Sequence, residues 1–464
     1  GFEVTIIVVS TASLEKAWSN YKDLSFAYES KAGSLEIASE EIGAIVEQAK
    51  SLPTIISILQ NTLGTKKSYR VSHILETILA GALATNASDI HIEPEETYVR
   101  LRYRLDGVLI DVIRFDLDTF NLLISRIKLL SGLKLNVKKS AQDGRFSVHL
   151  HSTDIEIRTS VLPGAYSESV VLRILNPKSI GVPLEELGIP EKLMSVIAKE
   201  ISKPNGMLLT TGPTGSGKTT TLYACLKKVH KPQIKIITIE DPIEYHLPGI
   251  TQTQVNDKGY TFLEGLRSAL RQDPDVIMVG EVRDSETAAI AINSALTGHL
   301  VFSTLHTNSA AGSFPRLIDL GVNPKIMSSA INIALAQRLV RKLCQNCKKE
   351  VVLVEGSREK KLIDENVAAI VDKASIPANT TKMWVATGCD QCNQTGYKGR
   401  IGIYEGFKMT DEVNKTIEYS SSEEEIAKAA IPQGIMTMSQ DGITKILQGV
   451  TSLEELERVI SLED

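Results

Sequence analysis

Hydrophobic positions recur along the chain in distinct rhythms, and each rhythm assigns a stretch to a kind of structure. Between residues 99 and 105, Val99, Leu101, Tyr103 and Leu105 alternate with Arg100, Arg102 and Arg104. That period of two marks a strand with one buried face. Asp106-Gly107 supplies a hairpin turn into a second strand, 108–113. Strands at 155–161 and 169–175, joined through Pro163-Gly164, and helices over 71–85 and 118–131 complete a small α/β domain. His91 falls between Ile90 and Ile92 on a further strand, where a lone histidine reads as structural.

From Leu187 the rhythm changes. Short runs that are apolar throughout (207–211, 234–239, 276–279 and 300–304) alternate with helical stretches. Such runs suit the strands of a parallel sheet covered by helices on both faces. The pattern therefore predicts a small α/β domain over 65–175, a Pro- and Gly-bearing linker at 176–186, and a larger α/β domain over 187–409. A cysteine-bearing module lies inside the larger domain at 341–402, and a helical region with charged segments closes the chain at 410–464. Residues 1–64 suggest a strand and several helical segments ending near Leu63-Gly64-Thr65, with no chemistry attached to them.

Composition narrows the function classes. The 464 residues are 42% hydrophobic and 23% charged, ordinary for a globular protein of several domains. With 51 basic and 56 acidic residues the net charge is −5, so no global field recruits nucleic acid or an acidic membrane. Trp384 and the scattered tyrosines read as packing residues, not as a base-stacking platform. The longest apolar runs, such as 4–9, are too short to cross a bilayer and lack the flanks of a signal peptide. A cytoplasmic location is expected.

Four of the five cysteines fall in two knuckles, Cys344-x-x-Cys347 and Cys389-x-x-Cys392. An odd total in a large chain argues against a secreted disulfide framework. Two such knuckles can offer four thiolates to one tetrahedral Zn²⁺; a redox dithiol pair and free thiols are the alternatives. Gly388 and Gly396 suit the tight turn of the second knuckle, and the long gap between knuckles predicts a helical excursion over 350–373. Cys225 reads as a buried small residue.

The sharpest signal follows the apolar run Met207-Leu208-Leu209. Gly212, Pro213, Thr214, Gly215, Ser216, Gly217, Lys218, Thr219 and Thr220 form a phosphate-binding loop between a strand and a helix expected over 220–229. The glycines let backbone N–H groups converge on a triphosphate. Lys218 can place an ammonium on the β- and γ-phosphates, and the Thr219 hydroxyl can take a position on Mg²⁺. In an open parallel sheet, ligands sit beyond the carboxyl ends of the strands, and here each central strand ends in polar chemistry. One runs into Glu240-Asp241-Pro242 with Glu244 close behind, the next into Gly280-Glu281 with Arg283 and Asp284, and the last into Ser303-Thr304-Leu305-His306. Carboxylates at such places suit a phosphate-bound Mg²⁺ and an attacking water.

These segments together resemble the bacterial secretion-ATPase superfamily, and more narrowly the type IV pilus assembly and type II secretion ATPases. They correspond to its Walker A, Asp-box, Walker B and His-box elements. The likeness runs from Ala87-Ser88-Asp89-Ile90-His91-Ile92-Glu93-Pro94 to about Leu456 and takes in Gln142-Asp143-Gly144-Arg145, Ala336-Gln337-Arg338-Leu339 and the four cysteines. The resemblance implies a RecA-like ATPase domain carrying a zinc module and preceded by a smaller, PAS-like α/β domain. It implies ATP, Mg²⁺ and Zn²⁺ as cofactors. Glu281 would serve Mg²⁺ and the catalytic water, and Glu240 would be a second carboxylate, with the choice of general base between them open. His306, and with it His299, would sense the γ-phosphate. Arg158 and Arg173 would reach ATP when the small domain closes; without the resemblance both read as surface ion pairs. The implied assembly is a homo-hexamer at the inner face of the cytoplasmic membrane that moves an inner-membrane platform protein and touches the membrane only through protein partners. Type II secretion is the alternative to pilus assembly. A pilus-retraction ATPase typically lacks the four cysteines. A DNA-translocating hexamer would be expected to show a basic or aromatic nucleic-acid surface.

Overall fold

The computed structural model describes residues 51–64, 70–150, 153–175, 181–256 and 259–462, with a few isolated positions before residue 51. Most of the segment expected over 1–64, including the apolar run 4–9, and linker residues 176–180 lie outside the described residues. The chain divides into two compact units, residues 1–175 and 176–464.

The first unit contains β1 (Ser34–Leu35), α1 (Leu52–Gly64), α2 (Arg70–Ala84), β2 (Asp89–Pro94), β3 (Val99–Leu105), β4 (Val108–Phe115), α3 (Leu117–Leu130), β5 (Gln142–Leu150), β6 (Thr153–Pro163) and β7 (Glu168–Leu175). Its sheet runs in the order β1-β5-β6-β7-β2-β3-β4, antiparallel apart from the short β1. The alternation in β3 is realised: Val99, Leu101 and Tyr103 are fully buried and the arginines between them are half-buried. Ile55 and Leu59 of α1, Ile78 of α2 and Ile127 of α3 pack with Leu101, Phe146 and Leu172 of the sheet in one core. The arginine face is tied down by cross-strand pairs, Arg102 to Glu93 at 2.6 Å and Arg104 to Asp89 at 3.4 Å.

The second unit is built on β8 (Gly206–Thr211), β9 (Ile236–Glu240), β10 (Thr251–Gln254), β11 (Val276–Val279), β12 (Leu300–Leu305), β13 (Ile331–Leu343) and β16 (Tyr397–Lys408), in the order β10-β9-β11-β12-β8-β13-β16. All pairs are parallel except β13 with β16. Side chains of successive residues divide between two cores, as a sheet covered on both faces requires. Leu208, Ile236, Met278 and Phe302 face α4 (Glu191–Glu200) and α5 (Lys218–Val229). Leu209, Ile237, Ile277 and Val301 face α6 (Phe262–Leu270) and α7 (Ser285–Leu296), on the side that also buries α8 (Ser313–Asp319) and α9 (Pro324–Ala330).

The region between the cysteine knuckles differs from the helical excursion expected over 350–373. It begins as β14 (Lys349–Val352), continues as α10 (Arg358–Ala369) and returns through β15 (Lys382–Val385), which pairs with β14 in a separate two-stranded sheet. The final helices, α11 (Asp411–Tyr419), α12 (Glu423–Ala430), α13 (Met438–Leu447) and α14 (Leu453–Val459), share the sheet's core through Val413, Ile426, Ile443 and Leu456.

Candidate active site and cysteine cluster

Strand order decides what meets at the carboxyl edge of the large sheet. β8 lies between β12 and β13, and β12 separates it from β11. The loop after β8, the turn after β11 and the turn after β12 therefore converge. Thr211 of β8 bonds Thr307 after β12 through their hydroxyls at 2.6 Å, and the Thr304 hydroxyl donates to Gly280 O at 2.7 Å. Gly280 N–H in turn donates to Ile239 O at 2.8 Å, which closes the row as far as β9.

The loop 212–217 needs its glycines. Gly212, Gly215 and Gly217 have φ of +147°, +81° and +90°. A Cβ at Gly212 would stand 2.6 Å from Ser216 Oγ and 2.7 Å from Gln337 O, so even alanine would displace the loop. Lys218 opens α5 and folds back over the loop, donating to Gly212 O at 2.7 Å and Pro213 O at 3.1 Å. Burial, reinforced by Arg338, pulls its ammonium below the usual lysine range, and Glu281 opposes that pull. Thr219 and Thr220 follow on the first turn of α5. Gln337 of β13 donates to Ser216 O at 2.7 Å, and the buried Arg338 donates to Asn308 O at 2.9 Å. These two bonds fasten β13 to the loop and to the segment after His306.

Glu281 sits just past β11 with its side chain 14% exposed. Arg283 contacts one of its oxygens and His306 Nε2 lies 3.2 Å from the other. Arg283 also reaches Asp241 at 3.7 Å, and the bond to Glu281 raises the guanidinium's pKa. His299 does not join this group. It precedes β12, at the opposite edge of the sheet from His306, where its carbonyl takes the N–H of Gly206 and its Nδ1 lies 3.1 Å from Ser294 O. Within the chain the two histidines therefore stand about 20 Å apart, at opposite ends of a six-residue strand.

Glu240 closes β9 facing α5 instead of solvent and is 2% exposed. Its carboxylate accepts from the Tyr223 and Thr238 hydroxyls and, at 3.0 Å, from Gln252 Nε2.

Arg158 and Arg173 lie in the first unit as direct cross-strand neighbours. Arg145 of β5 opposes Arg158 on its other side, and Asp89 of β2 opposes Arg173. Arg173 Nε donates to Asp89 at 3.0 Å while its side chain stays 60% exposed; Arg158 Nε donates to Glu156 at 3.3 Å. Sequence reasoning gave Arg145 no role, although the period of two at Phe146 and Val148 was a readable strand signal. It likewise gave none to Tyr223, Gln252, Gln337 or Arg338, whose contacts are made between elements distant in sequence.

The four cysteine sulfurs lie within 4.8 Å of one another. Cys344 and Cys389 are 3.8 Å apart, Cys347 and Cys392 3.8 Å, and Cys389 and Cys392 3.7 Å. Four thiolates about 2.3 Å from a tetrahedral zinc would be separated by about 3.8 Å, so the donor set fits that ion. Backbone N–H groups of Cys389 and Gly396 point at Cys392 Sγ, both at 3.2 Å, as thiolate acceptors favour. Burial pushes the Cys347 thiol up, yet the Gly388 N–H, Thr387 and the neighbouring cysteines outweigh it and bring the group to about 7. Gly388 and Gly396, at φ +106° and +77°, make the turn.

A family model described as type II/IV secretion system protein matches residues 65–458. The chain belongs to that family. It is an ATP hydrolase with the family's α/β P-loop fold. It is 43% identical over 448 residues to the type II secretion system protein E of Pseudomonas aeruginosa, covering 96% of this chain and 86% of the relative. It is 37% identical over 458 residues to the type IV pilus assembly ATPase PilB of Myxococcus xanthus, covering 98% and 78%. Among solved structures, the pilus retraction motor PilT with bound ADP is 27% identical, at a TM-score of 0.53 over 82% of this chain and 95% of that one. The Legionella pneumophila ATPase DotB shares the fold at 21% identity and a TM-score of 0.58, covering 85% and 97%. Among the described residues, no helix is long and apolar enough to cross a membrane.

Proposed function

We propose that this ATP hydrolase is the motor of a type IV pilus assembly or type II secretion machine, working as a homo-hexamer at the inner face of the cytoplasmic membrane. The observation that carries the chemistry is the convergence of Lys218, Glu281 and His306 at one sheet edge. The backbone of 212–217 cradles the phosphates and Lys218 leaves its two loop carbonyls for them. Thr219 and Glu281 hold Mg²⁺, which neutralises phosphate charge when bound. Glu281 orients the water and takes its proton, and His306 reads whether a γ-phosphate is present. Arg158 and Arg173, joined by Arg145 in the same cross-strand row, meet the nucleotide when the small domain closes and stabilise charge that grows in the transition state. Closure on ATP and reopening after hydrolysis displace an inner-membrane platform protein that adds subunits to a filament. Cys344, Cys347, Cys389 and Cys392 hold a structural Zn²⁺.

Type II secretion is the second reading, supported by the 43% identity to protein E over nearly the whole chain. Purified protein with Mg²⁺ and ATP should release phosphate faster when the platform's cytoplasmic domain is added and at an unchanged rate with single-stranded DNA. Stimulation by DNA alone would replace the motor with a translocase. Restoring the gene to a deletion strain and scoring surface pili against exported enzymes separates the two machines.

A further inference from the structure

Both oxygens of the buried Glu240 carboxylate accept hydrogen bonds from side chains inside the protein. Thr238 stands two residues before it on the same face of β9, and Gln252 of β10 is the direct partner of Thr238 in the parallel ladder. Both donate to Oε1, and the Tyr223 hydroxyl donates to Oε2 from α5. Gln252 is itself held, giving its other N–H to Tyr245 O at 3.1 Å and accepting Leu247 N–H at 2.6 Å. Tyr245 packs edge-on against Tyr223 with ring centroids 4.5 Å apart. Burial, and then the charge of Glu240, push the Tyr223 phenol far above its usual value, so it remains a donor.

The elements joined here matter. Tyr223 is on the helix that begins with Lys218, and Glu240 directly precedes Asp241, which Arg283 links to Glu281. The helix that follows the 212–217 loop and the Glu281 carboxylate are thus connected by one run of contacts, from Tyr223 to Glu240, across one peptide to Asp241, and through Arg283 to Glu281.

We propose that Tyr223 and Glu240 form a positioning pair, not an acid–base pair: Glu240 takes no proton from water, and its bond to Tyr223 fixes the Asp241–Arg283–Glu281 arm relative to the phosphate loop. The proposal rests on Glu281 being the catalytic carboxylate. Loss of the Tyr223 hydroxyl leaves a buried oxygen of Glu240 without its donor and loosens the arm while the loop's own phosphate contacts persist.

The test is steady-state ATP hydrolysis by the full chain with Mg²⁺, alongside binding of a fluorescent ATP analogue. Tyr223→Phe is expected to lower kcat about tenfold with KM within about twofold, and Gln252→Ala to give the same split from the neighbouring strand. Glu240→Gln, which keeps the volume and an acceptor oxygen, should cost no more than about tenfold, and the Tyr223→Phe/Glu240→Gln double variant should be no slower than the slower single one. A kcat of parental size in Tyr223→Phe overturns the pair. So does a double-variant loss equal to the product of the single losses, or a Glu240→Gln protein as inactive as Glu281→Gln. Full turnover in Glu281→Gln would instead remove the catalytic assignment on which the pair depends, so the two failures are told apart.

Discussion

Glu281 is held between a guanidinium and an imidazole, and in the proposed mechanism the charge it would present to Mg²⁺ and water depends on both neighbours. Replacing it by glutamine keeps the shape and removes the charge. Glu281→Gln should bind a fluorescent ATP analogue with affinity within about threefold of the parent and lose turnover by about a thousandfold or more. Equal hydrolysis in variant and parent would reject its assignment. The arginines of the small unit belong to the same scale. If the proposed closure holds, Arg173→Ala and Arg145→Ala should each lower kcat more than they weaken nucleotide affinity, since a guanidinium that would meet phosphate only in the closed state acts in the transition state. Parallel losses in kcat and affinity would place these side chains at the resting site instead.

At the scale of elements, the long antiparallel β13–β16 pair is the spine that joins the 212–217 loop, the cysteine cluster and the C-terminal helices. From the middle of β13, Gln337 bonds the loop and Arg338 the segment after His306; Cys344 follows its end, and Arg341 ties it to α14. Glu455 of α14 is fully buried and accepts from Arg341 Nε and Nη2 at 2.8 and 2.6 Å, from the Arg341 backbone N–H at 2.9 Å and from Arg458 at 2.6 Å. Burial alone would raise its carboxyl pKa, but Arg458 and Arg341 outweigh burial and hold it below the usual range. A depressed folded pKa stabilises above the ordinary carboxylate value of about 4.3 and loses that contribution as pH falls through the folded value. Glu455→Gln removes the charged partner of the buried pair with Arg341 and should cost about 3–5 kcal/mol at neutral pH. The gap in melting temperature between parent and variant should narrow below about pH 4. A gap that stays constant with pH would assign the cost to packing rather than charge.

At the scale of the whole molecule, the cysteine cluster and the assembly are the measurable features. Elemental analysis should find about one zinc per chain, and Cys392→Ser should lose it together with several degrees of melting temperature. Metal-free protein of parental stability would return the cysteines to free thiols. The cluster sits close to the last helices, with Leu343 N–H donating to Val450 O at 2.8 Å and Lys348 Nζ to Gly449 O at 2.9 Å, so metal loss should loosen the β13 spine as well as the knuckles. Native mass measured with a non-hydrolysable ATP analogue should correspond to six chains; a monomer under those conditions would remove the ring.

Much of this was legible along the chain because its causes are local. A glycine-rich loop between an apolar strand and a helix, a period of two at Val99 to Leu105, and two Cys-x-x-Cys knuckles each carry their physics within a dozen residues. The polar strand ends Glu240, Glu281 and His306 were visible for the same reason. What they do to one another was not, since that depends on neighbours distant in sequence. Strand order puts β12 between β8 and β11, so His306 meets Glu281 while His299, seven residues earlier, ends at the far edge. The direction in which β9 faces sends Glu240 inward to Tyr223, and antiparallel register alone places Arg145 beside Arg158 and Arg173. Local pattern fixes which groups a strand or loop carries; the pairing of strands, set by burying both faces of a sheet at once, fixes which of those groups come within bonding distance.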